Sequence, residues 1–463
     1  MKTFYFKIYL FALPIASLML LHACADFTEV DLPSSQLTSA AVFEEKATAN
    51  AAMVDIYSKI RDSGLLTGSP SGICSQLGLY ADEFQFYGIS GTTEANFYNN
   101  TLLAADPSMA ELWNSSYSQI YSANAVLEGV AKASALPLED KQQLTGEALF
   151  VRALIHFYLV NSFGPIPYVA TTDYKRNGAV SRMPETEVYN LIKSDLEQSI
   201  TLLPAQYNGN YRVRPNKGAA QALLARVCLY TGQWEEASNA ASAVLNQTDL
   251  YVWPVSLNSE FKKESTATIW QLMSSLEGKN TDQGNAFIFV QGPPPSVALT
   301  DDLVNAFTAG DLRKDNWLKA VTTGATTWYH PFKYKEKSNT PTSMEYAIVL
   351  RMAEQYLIRA EARAHSGDLI GAKEDLNKIR NLAGLGNTAA ITAEQILDAV
   401  QVERRLEFFT EYGHRFFDLK RTGKLDQILT AAKSQWQTTD RLLPLPQSEL
   451  VLNPNLRPQN AGY

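Results

Sequence analysis

The chain has 463 residues with 40 Lys and Arg against 48 Asp and Glu, a formal net charge of −8, which argues against nucleic acid and any other phosphate backbone unless a local basic patch offsets it. With 46% hydrophobic residues, 25 glycines and 20 prolines, the composition is globular, neither disordered nor fibrous. Five histidines and three cysteines are too few for a rich site of a soft or borderline metal, so no metal or other cofactor is expected, whereas tyrosine is abundant at 22.

Residues 1–23 combine Lys2 and Lys7 with an apolar run from Ile8 to Leu21 and no acid, the make-up of an export signal. The run is shorter than the roughly 20 residues of a bilayer span and contains Pro14, so it does not read as a retained membrane helix. It closes on Leu21, His22, Ala23 and Cys24, which resembles a bacterial lipobox with His22 in place of the usual small or hydroxyl residue. Lipidation of Cys24 is the favoured expectation over an ordinary cysteine beside a plain cleavage site, and it would anchor the chain to a membrane. The acidic residues 24–37, with Asp26, Glu29 and Asp31, resemble the export tether of surface lipoproteins. Only Cys74 and Cys228 remain beyond it, so at most one disulfide is possible; Cys228, inside the apolar run 222–230, reads as a buried free thiol.

Beyond the tether, apolar residues recur at helical spacing and sustained alternation is rare, which predicts a mainly α fold. A helix over 40–61 is expected to pair with one over 110–133, and Leu138–Phe163 with Glu185–Leu202. Two clearer hairpins follow, 218–230 with 234–245 about Gly232, and 351–366 with 368–380 about Gly367. On the face of the latter's first helix lie Ala353, Tyr356, Leu357, Ala360 and Ala364. Aligning the two hinge glycines sets Ala225 against Ala360 and Ala237 against Ala372, small residues that let paired helices approach, with the glycine closing the turn. The pattern predicts a tetratricopeptide-like scaffold of about four helical hairpins decorated by long loops and few short strands. The scaffold is assigned to 38–250 and 346–385, a loop-rich insertion to 251–345, and a C-terminal segment to 386–463. Loops are expected over 63–72, 88–106, 205–218 and 277–342, the last with short strands at 286–290 and 328–334, and an irregular tail after Gln437.

The stretch GEALFVRALIHFYLVNSFGPIPY at 146–168 resembles the central signature of the SusD/RagB family of outer-membrane nutrient-binding lipoproteins. Four further blocks agree in order: 223–237, 349–380, ERRLEFFTEYGHRFFDLKR at 403–421, and the tail from LLPLPQSEL at 442–450 to QNAGY at 459–463. The resemblance implies a non-catalytic protein on the extracellular face of the outer membrane, held by its lipid anchor on a SusC-like TonB-dependent transporter, where it captures oligosaccharides or, in the RagB branch, peptides. The residues themselves read as structural within these blocks. Arg152, four before His156 on a helix that is apolar nearly all round, is expected to be a satisfied internal charge, and Glu403, Arg404, Arg405 and Glu407 to form helical ion pairs.

No phosphate loop, nucleophile elbow or zinc-binding helix motif occurs. The glycines 384 and 386 match a dinucleotide fingerprint in letters but follow a helix, where that motif needs a strand, and read as a helix cap and loop. Asp82 and Glu83, like Asp301 and Asp302, are adjacent acids that read as loop or cap residues more readily than as a glycosidase pair. A glycan platform wants Trp or Tyr beside Asn, Asp or Arg on exposed loops, because sugars stack their C–H faces on rings and hydrogen-bond through hydroxyls. The loop 80–100 has that make-up, and the resemblance puts ligand contacts at Phe97, Tyr98, Asn99 and Asn100, although the family's loop tryptophan is absent. Trp317, Trp328 and Tyr329 in the insertion form the second candidate patch, with Tyr207 and Tyr211 third. Trp113 and Trp234 lie in signature helices and read as core.

Overall fold

The computed structural model describes residues 39–463; the leader, Cys24 and the tether lie outside them. The molecule is mainly helical, and its helices stack as successive antiparallel pairs. Lys46–Asp62 packs on Pro107–Lys132, and Leu138–Phe163 on Glu185–Leu202. Lys217–Tyr230 pairs with Trp234–Leu245, and Met352–His365 with Leu369–Leu382. The expected pairings and the tetratricopeptide-like architecture are therefore present. The Trp234 helix packs directly on the Met352 helix although more than a hundred residues separate them, so the insertion leaves the stack unbroken.

Small side chains make the close approaches. Ala225, Ala237, Ala360 and Ala372 are all wholly buried, and both hinge glycines are left-handed, Gly232 at φ +69° and Gly367 at φ +87°. The Leu138–Phe163 helix is the centre of the core, buried at every position from Gly146 to Phe163. Its buried charged groups are all answered, while the buried Ser162 hydroxyl has no partner among the described residues. Glu147 receives the Tyr57 hydroxyl at 2.7 Å and the Arg214 guanidinium at 2.8 Å, and Arg152 grips both oxygens of Asp195 at 2.7 Å while reaching Asn124. His156 lies 2.8 Å from the Arg152 carbonyl through Nδ1 and accepts the Val169 N–H through Nε2, which fits the neutral ring; burial pushes its pKa down to about 3.

Six short strands occur among the described residues: β1 (Phe84–Phe86), β2 (Thr268–Leu272), β3 (Val297–Leu299), β4 (Leu318–Thr323), β5 (Thr326–Pro331) and β6 (Ala347–Arg351). They pair antiparallel, β1 with β3, β2 with β6 and β4 with β5. The β2–β6 pair ties Thr268–Leu272 to Ala347–Arg351, the strand that leads into the Met352 helix. Every residue of β2 is buried, so the alternation that announces a half-exposed strand is missing from its sequence.

Several loop expectations are corrected. The loop expected over 88–106 contains a helix, Thr93–Asn99, capped by the Thr92 hydroxyl and closed by Asn100 in the left-handed region at φ 54°, and a further helix, Ile73–Tyr80, lies between the two expected loops. At 286–290 a strand was expected, but the Thr281 hydroxyl accepts the Gly284 N–H and starts a helix over Asp282–Phe287 instead. The strand expected at 328–334 is β5, displaced toward the N-terminus. Trp234 lies at the core's edge: it is half-buried, packs against the cluster around Ala225 and Ala237 and stacks on His365, centroids 3.9 Å apart. Cys74 and Cys228 are both buried free thiols, so they form no disulfide, and burial raises each to a pKa of about 12.

Buried ion pairs fasten the insertion to the C-terminal helices. Arg351 reaches Glu260 at 2.7 Å, Glu407 at 2.6 Å and Glu411 at 2.9 Å, and Arg313 reaches Asp311 and Glu403 at 2.8 Å. The tail then runs back over the central helix, where the Leu443 N–H donates to the Ser162 carbonyl and the Asn460 amide to that of Phe163.

Candidate functional site

β1 carries the chain from the Ile73–Tyr80 helix to the surface, and two neighbouring features gather around it. The first is an open cleft of about 580 Å³, lined by residues from β1, the Thr93–Asn99 helix and the C-terminal helices. Arg415 donates to both oxygens of Asp82 at 2.7 Å, and Arg405 donates to Asp82 at 3.1 Å and to Asp302. Burial works against the Asp82 charge, but Arg415 and Arg405 outweigh it and hold its carboxyl below the usual carboxylate value. Asp82 is thus an ionised acceptor with no proton to give. Its neighbour Glu83 is wholly enclosed and accepts the Thr410 N–H at 3.1 Å; burial and then the Asp82 charge raise its pKa to about 7.

On the cleft wall, Lys433 bonds the Leu79 carbonyl at 2.7 Å and the Tyr98 carbonyl at 3.2 Å, with its ammonium 4.0 Å from the Tyr98 ring centroid. Burial lowers this lysine to about 8, so it keeps most of its charge at neutral pH. Tyr98 also packs against Phe86 at 6.1 Å. Its ring is therefore held in place while its hydroxyl has no protein partner among the described residues.

The second feature is an aromatic corner just past β1. Tyr87 is 41% exposed and meets Trp328 of β5 edge to face at 6.4 Å and 88°. The Trp328 ring lies on Gly292, where a Cβ would come within 2.2 Å of it, so only glycine admits the ring there. Neither the Tyr87 hydroxyl nor the Trp328 indole N–H has a protein partner among the described residues. Fixed ring edges beside unpaired donors and acceptors suit a sugar, whose C–H face stacks on rings while its hydroxyls bond around them.

The structure divides the candidate residues. Tyr98 lines the cleft and Trp328 forms the aromatic corner, and Asn99 is exposed beside Tyr98. Phe97 is corrected to core: its helix turns it inward, fully buried against Tyr80. Asn100 is corrected to a helix cap, its amide donating to the Tyr80 carbonyl at 3.1 Å. Trp317 is corrected to core as well, enclosed by Phe261 at 5.5 Å and Lys333 at 5.1 Å. Tyr329 follows Trp328 on a strand and so faces the other way, packed against the core. Tyr207 is tied to the Ile269 carbonyl at 2.6 Å, and Tyr211 lies edge-on to Tyr346, away from Trp328 and Tyr98. Reading the sequence missed Tyr87 and the Arg405, Arg415 and Lys433 wall. The available signal was the aromatic-rich 84–87 stretch beside Asp82.

Among the described residues no group of three or more His, Cys, Asp or Glu side chains is placed to hold a metal ion, and no helix is long and apolar enough to cross a membrane. Residues 80–229 match a family model described as SusD-like, starch-binding and associating with the outer membrane, and residues 313–463 match the SusD family model. A SusD-like protein of Formosa agariphila, P2, is 27% identical, covering 79% of this chain and 83% of its own length. A SusD superfamily protein from Bacteroides vulgatus superposes with a TM-score of 0.78 at 21% identity, over 91% of this chain and 100% of that one. A laminarin-binding SusD-like protein superposes with a TM-score of 0.76 at 23% identity, again over 91% and 100%.

Proposed function

Because this chain belongs to the SusD/RagB family, we propose that it captures an oligosaccharide around β1, at the cleft with Tyr98 and the corner of Tyr87 and Trp328, and passes it unaltered to a SusC-like TonB-dependent transporter. The observation that carries this reading is the set of three fixed, partly exposed rings with unpartnered N–H and O–H groups, next to a cleft whose carboxylate is held ionised. Such a surface binds by stacking and hydrogen bonding, and its Asp82 has no proton to supply for glycosidic cleavage. The chain sits on the outer face of the outer membrane, anchored through Cys24.

Laminarin binding by the similar protein makes β-1,3-glucan oligosaccharides the first probes. In calorimetry with laminarihexaose, maltohexaose and cellohexaose, Trp328→Ala and Tyr98→Ala are each expected to weaken binding about tenfold, equivalent to about 1.4 kcal/mol, without releasing shorter sugars. Unchanged affinity in both variants would move the site elsewhere. The family's peptide branch supplies the competing reading, and the enclosed Trp317 is the feature on its side. Binding of a peptide panel with no response to any glycan would establish it.

A further inference from the structure

A second cleft, of about 420 Å³, shares no residue with the first. It lies where the Pro107–Lys132 helix, the segment after the central helix and the Gln447–Leu452 helix meet. Trp113, Tyr117 and Tyr121 are spaced i, i+4 and i+8 and run as a stripe down one helical face, with Tyr174 also in the lining. Exposure climbs along the stripe, from 4% at Trp113 to 50% at Tyr121, and Tyr174 is 76% exposed.

The inner rings have structural work. Trp113 is wedged against Phe163 at 5.3 Å and Tyr117 at 4.8 Å, and the Tyr117 hydroxyl donates to the Pro167 carbonyl at 2.8 Å. The outer rings have none among the described residues: the Tyr121 side chain makes no ring contact or hydrogen bond, and the Tyr174 ring has only the Lys175 cation over it, 6.0 Å from its centroid. Around them, the Trp113 indole N–H, the Asn114 side-chain amide, the Glu449 carboxylate and both outer hydroxyls lack partners among the described residues.

Two open rings in a concave setting, ringed by unpaired amide, indole and carboxylate groups, present what one face and the hydroxyl rim of a sugar require. An acyl chain would cover those polar atoms without bonding them, which costs free energy. Charge narrows the ligand further. Glu449 is the single charged residue of the lining, with Lys175 only at its rim beside Tyr174, so a sulfated or uronic sugar would meet an acid inside the cleft. We propose that this cleft is a second saccharide site, taking a neutral sugar unit on Tyr121 and Tyr174 with Asn114 and Glu449 as hydroxyl partners. It rests on the reading of the chain as a glycan binder, though not on the location of the first site. Two sites on one chain hold a long glycan at two points, and the second contact forms at the high effective concentration set by the first.

Calorimetry of the full chain with laminarihexaose, maltohexaose and cellohexaose tests this, comparing the wild type with the Tyr121→Ala/Tyr174→Ala and Tyr98→Ala/Trp328→Ala double variants. Both tyrosines are on the surface, so their variant keeps its fold. The expected result is two sites in the wild type for at least one hexaose, with the Tyr121/Tyr174 variant losing one and leaving the other within about twofold. A component that survives Tyr98→Ala/Trp328→Ala but disappears in Tyr121→Ala/Tyr174→Ala supports the second cleft even where the first site is refuted. A single site indifferent to Tyr121→Ala/Tyr174→Ala overturns the second cleft and leaves the first intact. Absence of binding by every hexaose overturns both.

Discussion

Phe97 and Tyr98 are adjacent on a seven-residue helix, and about 100° of rotation sends one ring into the core and the other to the cleft. The same separation acts in β5, where the strand's alternation gives Trp328 to the surface and Tyr329 to the core. Residue type alone does not make that distinction, because a tyrosine or tryptophan serves core and ligand equally well. Asp82 and Glu83 show the electrostatic counterpart. Two guanidinium groups reach Asp82 and none reaches Glu83, so adjacent acids have their pKa values driven in opposite directions. Glu83 has a folded pKa of about 7, above its unfolded value of about 4.3, so the folded state retains a proton that the unfolded state releases. Its contribution to stability is therefore largest below pH 4.3 and falls as pH rises toward 7. Glu83→Gln keeps an acceptor for the Thr410 N–H and removes the titration. In urea melts it is expected to be more stable than the wild type by about 1–3 kcal/mol at pH 8, with the difference closing at pH 5. An equal difference at both values would refute the assignment.

At the scale of elements, the hairpins were legible because their signals are local. Small residues at Ala225, Ala237, Ala360 and Ala372 and glycines at 232 and 367 are needed by any tight antiparallel helix pair, wherever it sits in the fold. Gly367 isolates that requirement: at φ +87° a Cβ there would meet nothing within 4 Å, so the backbone conformation alone sets the cost. Gly367→Ala is expected to lower stability by about 1–2 kcal/mol with no change in the denaturant slope, measured by urea unfolding. The short elements were less legible. β2 is buried on both faces and shows no alternation, while Thr93–Asn99 and Asp282–Phe287 are too short for a helical period to register and depend on threonine caps.

Across the whole molecule, the insertion and the C-terminal helices are joined through Arg351, whose guanidinium meets three glutamates from two distant parts of the chain. Arg351→Met would leave Glu260, Glu407 and Glu411 buried without their main counter-charge, and is expected to cost about 3–5 kcal/mol in denaturant unfolding. A cost below about 1 kcal/mol would mean that packing and not charge fastens the two parts. Glu403, Arg404, Arg405 and Glu407 do form ion pairs, but not the helical pairs expected: their partners Arg313, Asp418, Asp82 and Arg351 lie on other elements, so only the fold reveals what each pair joins. Sequence by itself determined the helical class, the hairpin stack, the central buried helix and the family resemblance, because periodicity, small residues and turn glycines act over a few residues. Tertiary structure alone decided which aromatic rings meet a ligand. The corner of Tyr87 on Trp328 and the wall behind Tyr98 are each assembled from segments hundreds of residues apart, and exposure is a property of that assembly and not of any one segment.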